Sequence, residues 1–166
     1  MLLLTSMGKN SNNLVGVTGE YYVCAELGKL GILALITPKN NPLFDIVAVS
    51  TDASRIITIQ VKTMSLGNKQ GWRLNKDICE RKNNPLLYTV LVNLSNEGID
   101  YYIYEYDVLS KRVEDGYKKY LEVKKRDGGN RKDIAFRWYD LKWFSKDDIS
   151  RKNNWGLLGF HCGKSK

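Results

Sequence analysis

Ile56-Ile57-Thr58-Ile59-Gln60-Val61-Lys62-Thr63 is an apolar run that closes on an amide and an ammonium two residues apart. Side chains alternate faces along a strand, so Ile57, Ile59 and Val61 share one face and Thr58, Gln60 and Lys62 the other. A shorter run, Asp45-Ile46-Val47-Ala48-Val49, precedes it and opens on a carboxylate. If the two runs are neighbours in a sheet, Asp45, Gln60 and Lys62 occupy one small volume over an apolar underside. Such a set can hold a divalent cation and guide a water to a phosphate.

Working outward, residues 16–30 are expected to form a helix. Val23, Cys24, Leu27 and Leu30 recur at three- and four-residue spacing, Thr18 is a candidate cap and Gly31 the stop. Glu20 heads the buried stripe, where a carboxylate needs a partner. Residues 32–37 read as a strand, 38–42 and 50–54 as turns, and the two runs above as the next strands. Helix and short-turned strands in this order build an antiparallel meander backed by a helix. Residues 64–84 read as loop-rich, 86–94 as a buried strand, 96–98 as a hairpin turn and 99–106 as an alternating strand. Residues 107–123 read as a helix, 124–133 as a basic glycine-containing loop and 135–144 as a last edge strand. Ser145 to Asp148 open a helix running towards Trp155, with acids suited to its first turn. Residues 1–15 are expected to be a flexible N-terminal arm, and 16–166 a single domain with a basic C-terminal third.

At 166 residues the chain has the size of one ordinary domain, and at 43% hydrophobic it has enough apolar material for a core. The three cysteines, Cys24, Cys79 and Cys162, form no CxxC pair, which argues against a disulfide framework or a zinc site. His161 is the single histidine, so histidine-based catalysis is not expected. No apolar stretch reaches membrane-spanning length and no basic-flanked leader is present, so the expected setting is the cytoplasm. The net charge of +8 is uneven: residues 111–166 carry sixteen basic and eight acidic side chains. A localised basic field beside a phosphate-directed site suits a polyanionic partner, although many basic proteins never meet one.

The order Glu20, Asp45, Gln60-x-Lys62 resembles the PD-(D/E)xK nuclease superfamily, with its restriction-endonuclease-like fold. The strings Gly19-Glu20-Tyr21-Tyr22-Val23-Cys24-Ala25-Glu26-Leu27, Asn41-Pro42-Leu43-Phe44-Asp45-Ile46-Val47 and Ile59-Gln60-Val61-Lys62-Thr63 carry the likeness. It is closest to the QxK variant, in which Gln replaces the first acid of the signature, as in small bacterial nucleases and a QxK-type homing endonuclease. The resemblance covers residues 16–63 and the following strand in outline. Two departures stand out. Pro42 lies three residues before Asp45 rather than beside it, and Gln60 is a neutral donor that binds a hard cation more weakly than Glu.

What the resemblance implies is an α/β fold with a central mixed β-sheet flanked by helices, and Mg²⁺-dependent hydrolysis of DNA phosphodiester bonds, with Mn²⁺ as a substitute. Asp45 would be the principal metal ligand, Gln60 a second oxygen and the Val61 carbonyl a third. Glu20 would act through water or a second ion. Lys62 would orient the attacking water and offset charge at phosphorus. The substrate would be duplex or branched DNA, and a homodimer would suit a cutter of both strands. Two other readings remain: a catalytically degenerate DNA-binding module on the same fold, or a protein-interaction subunit of a restriction or toxin-type system.

Around this site, Trp72 and Arg73 lie in a glycine-flanked stretch. They reach substrate, with the indole stacking on a base, or the indole packs over the sheet edge. Lys124, Lys125, Arg126, Arg131 and Lys132 are candidate phosphate contacts on a glycine pivot, or a solvated loop. Arg137, Trp138, Tyr139, Trp143 and Phe144 suit a core or interface. Tyr101, Tyr102, Tyr104 and Tyr106 are candidates for a dimer surface.

Overall fold

The computed structural model describes residues 12–38, 41–65, 67–95 and 98–160. Helix α1 spans Asn12–Lys29, starting four residues before the expected position. Thr18 is inside it and donates to the Leu14 carbonyl four residues back (2.7 Å), so it does not cap. Gly31 does stop the helix. Its φ of 74° suits a residue without Cβ, and the amides of Gly31 and Ile32 close back on the carbonyls of Gly28 and Leu27 (both 3.0 Å). Leu27 and Ile32, joined by that turn, are both buried in one core.

Strands β1 (Leu33–Ile36), β2 (Ile46–Val49) and β3 (Ile56–Met64) form the expected antiparallel meander. Strand β4 (Gly71–Asn75) and a 3₁₀ turn (Lys76–Cys79) follow, where a loop is expected. β5 (Leu87–Ser95) returns parallel to β3, and β6 (Gly98–Glu105) pairs with it antiparallel. The result is a five-stranded mixed sheet in the order β1-β2-β3-β5-β6. Helix α2 (Tyr106–Glu122) leads through residues 123–135 to β7 (Phe136–Asp140). β7 is not an edge of the main sheet: it pairs with β4 in a separate two-stranded ribbon. The chain ends in a 3₁₀ turn (Leu141–Trp143), a one-turn helix α3 (Lys146–Ser150) that stops well short of Trp155, and a further 3₁₀ turn (Trp155–Leu158). The 96–97 turn residues, His161, Cys162 and the N-terminal residues before Asn12 lie outside the described residues.

Both faces of the sheet are covered. Ile57, Ile59 and Val61 meet Val23 and Leu27 of α1 and Leu158 on one side. Met64, Leu91, Tyr102 and Tyr104 meet Trp72, Leu109 and Val113 on the other. This two-sided cover corrects the reading of the tyrosines as a dimer surface. Tyr101 enters the first core, Tyr102, Tyr104 and Tyr106 the second, and none is more than 8% exposed.

Asp148 latches the last segment to the second core. One carboxylate oxygen accepts from the Tyr104 and Tyr139 hydroxyls (2.9 and 2.8 Å) and from Arg112 (2.8 Å). The other accepts from the backbone N–H and hydroxyl of Ser145 (2.7 and 2.6 Å), closing a capping box at α3. Burial pushes the Asp148 carboxyl up, but the hydrogen bonds from Ser145 and the two tyrosines outweigh it and hold the group below its ordinary range. A depressed native value gives stability that is full above about pH 4 and fades as the pH falls through it. Asp148→Asn is expected to lower Tm at pH 7, with the gap to wild type narrowing below about pH 4 in thermal melts; a gap constant from pH 7 to pH 3 would show that no carboxylate charge is at stake.

α1 crosses β3 at Gly19. A Cβ there would overlap the Thr63 hydroxyl, so the missing side chain sets the approach of helix to sheet. Gly19→Ala, though favoured by helix propensity, is expected to destabilise by about 1–3 kcal/mol through overpacking. Urea titration checks this, and unchanged or increased stability would mean that the contact relaxes freely.

Candidate active site

β2 is four residues long and β3 nine. Their ladder runs only from Val49↔Ile56 to Ile46↔Ile59, whereas β5 pairs with β3 as far as Met64. From Gln60 onwards, β3 therefore has a partner on one edge and a departing chain on the other. Asp45 stands at that fork. Its N–H donates to the Ile59 carbonyl (2.9 Å), and its carbonyl accepts the Thr37 N–H (2.9 Å) and hydroxyl (3.2 Å). Its Oδ2 accepts the Val61 N–H at 2.7 Å, taking the place of the missing strand carbonyl. Both polar groups of a strand residue point to the same edge, so the Val61 carbonyl opens towards the fork as well.

Gln60 donates its amide nitrogen to the Leu43 carbonyl (3.0 Å), which fixes the side chain beside the chain that leads into Asp45. Gln60 and Lys62 are half-buried and alternate with buried Ile59 and Val61, so they share the face turned away from α1. Glu20 reaches the fork from α1. With Gly16, Ile36, Thr37, Asn41 and Asp45 it lines a cleft of about 450 Å³. Its charge is felt nearby: burial first, and then the Glu20 carboxylate, push the Cys24 thiol up.

The structure thus joins Asp45, Gln60 and Val61 in one hydrogen-bonded corner, sets Glu20 on the cleft at that corner, and carries Lys62 two residues along β3. Sequence reasoning missed Thr37 and Leu43, whose groups hold Asp45 and Gln60 from outside the motif. It also missed Gly19, signalled by a glycine inside a helical pattern next to the acidic residue. Among the described residues no three carboxylate, imidazole or thiolate side chains converge as a metal cluster. A cation here would rest on two carboxylates, neutral oxygens and water, a donor set suited to Mg²⁺, which keeps several waters.

No family model matches the chain, and no curated protein matches it in sequence. In three dimensions it is similar to a bacterial homing endonuclease, I-Ssp6803I, at a TM-score of 0.55 and 13% identity, over 90% of this chain and 93% of that one. A weaker likeness, at a TM-score of 0.43 and 16% identity, links it to Hjc, a Holliday junction resolvase from Archaeoglobus fulgidus, over 76% of this chain and 84% of that one. The fold is nuclease-like. The central mixed sheet and flanking helices agree with the fold expected from the sequence.

The candidate nucleic-acid contacts separate. Trp72 does not face solvent: it is 2% exposed, donates its indole N–H to the Val92 carbonyl (3.1 Å), and packs edge-on to Tyr102 and stacked with Phe144. Arg73, its neighbour on β4, points outward with its guanidinium 4.1 Å from the centre of the Phe136 ring. Lys124, Lys125, Arg126 and Lys132 are exposed between α2 and β7. Arg131 is half-buried, stacked on Tyr120 (4.2 Å) and bonded to the Val123 carbonyl (2.8 Å). Among the described residues, no helix is long and apolar enough to cross a membrane. Trp72→Ala is expected to cost about 3–5 kcal/mol of stability, as core truncations of large aromatics do. Denaturant unfolding measures this, and a folded variant of wild-type stability would return the indole to the surface.

Proposed function

We propose that the chain hydrolyses DNA phosphodiester bonds at the Asp45 corner with the help of Mg²⁺ or Mn²⁺, as an endonuclease of the QxK type. The observation that carries this reading is the anchoring of Asp45 to the Val61 amide where the β2 ladder stops, with Gln60 adjoining and Glu20 on the same cleft. That arrangement gathers anionic and neutral oxygens where a strand has no backbone partner. Asp45 and Glu20 would supply the charge that holds the ion. Gln60, its nitrogen tied to Leu43, and the Val61 carbonyl would supply neutral oxygens. When bound, the ion supplies Lewis acidity, withdrawing charge from phosphoryl oxygens and making nearby water acidic. Lys62 would donate hydrogen bonds to the incoming water and offset charge accumulating at phosphorus. Glu20 would hold and orient solvent at the mouth of the cleft.

Nicking of supercoiled plasmid and of branched DNA in Mg²⁺ or Mn²⁺ tests the reading. Asp45→Asn is expected to lose at least a hundredfold in rate and to weaken divalent-ion binding in calorimetry. Lys62→Ala should slow single-turnover cleavage while leaving ion binding intact. Asp45→Asn cutting at the wild-type rate would reject the assignment.

One observation favours a second reading. Among the described residues no third acid joins Asp45 and Glu20 at the corner, which suits a degenerate module that binds DNA without cutting it. Salt-sensitive DNA binding by a wild-type protein that neither cleaves nor takes up divalent ions would select it. An interaction subunit would need another surface than the tyrosines of β6, which are buried.

A further inference from the structure

A groove of about 640 Å³ lies between α2 and β7, beside a second space of about 390 Å³. Gly116, Tyr120, Arg131, Trp138 and Trp143 line both. Three aromatic rings from three separate elements therefore bound one trough, and Trp143 is 49% exposed. The space at Gly116 is open, since a Cβ built there meets nothing within 4 Å. The floor is the Asp148 latch, whose carboxylate is already filled by Tyr104, Tyr139, Arg112 and Ser145, so it offers a rigid base rather than a hungry polar group.

The rim is basic. Lys119 and Arg131 line the groove itself, and Lys142, with its ammonium 5.1 Å from the Trp143 ring centre, lines the second space. The acids that face the trough are largely engaged with cations. Asp115 pairs with Lys111, Asp140 with Lys142, and Asp148 with Arg112. Arg131 anchors the segment that carries Lys124, Lys125, Arg126 and Lys132 along one side. Aromatic faces inside a basic trough match unstacked bases strung on a phosphate backbone. The volume is that of a small-molecule pocket, enough for about one or two nucleotides and too narrow for a duplex.

We propose that this groove takes an unpaired segment of DNA, its bases on Trp143 and Trp138 and its phosphates on Lys119, Arg131 and the adjoining basic segment. The inference rests on the nuclease reading and narrows its substrate to DNA with single-stranded character, such as a frayed, flapped or branched end.

Fluorescence anisotropy in EDTA, where metal-dependent cutting cannot occur, compares a labelled oligo-dT 12-mer with a blunt duplex of equal length. The wild type should bind oligo-dT more tightly than duplex. Trp143→Ala should weaken oligo-dT binding about tenfold. Gly116→Leu should do the same by filling the trough while preserving Tm, since leucine is the better helix former. The proposal falls if both folded variants bind oligo-dT as the wild type does, or if duplex is preferred. It also falls if a poly-glutamate 12-mer competes as well as unlabelled oligo-dT, which would reduce the groove to an acceptor of any polyanion. The assay does not read cleavage, so the two ideas fail separately. Plasmid nicking without groove-dependent binding removes only the groove, and groove-dependent binding without nicking removes only the Asp45 chemistry.

Discussion

A difference in strand length organises this molecule. β3 continues past the end of β2, and the edge it exposes is met by a side chain instead of a backbone, the Asp45 carboxylate on the Val61 amide. A buried strand amide without an acceptor is costly, so the carboxylate is required by the sheet before it is required by any chemistry. The same fork brings Gln60 against the Leu43 carbonyl and leaves a cleft for Glu20. Structural need and candidate chemistry coincide at one group, and a substitution at Asp45 perturbs both. Stability and activity must therefore be measured side by side.

The layers on either side of the sheet have different duties. α1 supplies an acidic side chain from one face, and the closeness of its approach is fixed by a glycine packed over Thr63. The opposite layer, α2 with the β4–β7 ribbon, buries the aromatic core and turns its outer surface into a basic trough. Part of the positive excess in the last third of the chain is consumed internally. Arg112 pairs with Asp147 and Asp148, Arg137 with Asp133, and Arg151 with Glu105 and Asp147. The cations that remain on the groove rim are mostly lysines, which hydrate readily and suit transient phosphate contacts better than fixed geometry.

The parts of the structure written locally were legible in the sequence. The period-two pattern of β3 marked its two faces, Gly31 marked the end of α1, and the spacing of Asp45 and Gln60 matched their place on neighbouring chains at the fork. What was hidden depends on distant pairing. β4 is five residues from Gly71 to Asn75, and its partner β7 lies some sixty residues on, so neither strand announces the other. Without that ribbon, Trp72 looked like a loop residue. The tyrosines of β6 misled for a related reason. Alternation signals a wet face only when one side of a sheet is bare, and here both are covered.

The path of the chain also divides the work in time. Glu20, Asp45, Gln60 and Lys62 all belong to a contiguous stretch of helix and antiparallel hairpins joined by short turns. The parallel β3–β5 joint and the β4–β7 ribbon instead close long loops, whose entropy must be met before their contacts reward it. A nascent chain therefore holds every residue of the corner before β5 has been made, while the trough waits for the C-terminal segment to be threaded back and locked by Asp148. The cleft is built from a local stretch of chain and the groove from distant ones, so damage to the C-terminal third would fall first on the groove and last on the corner itself.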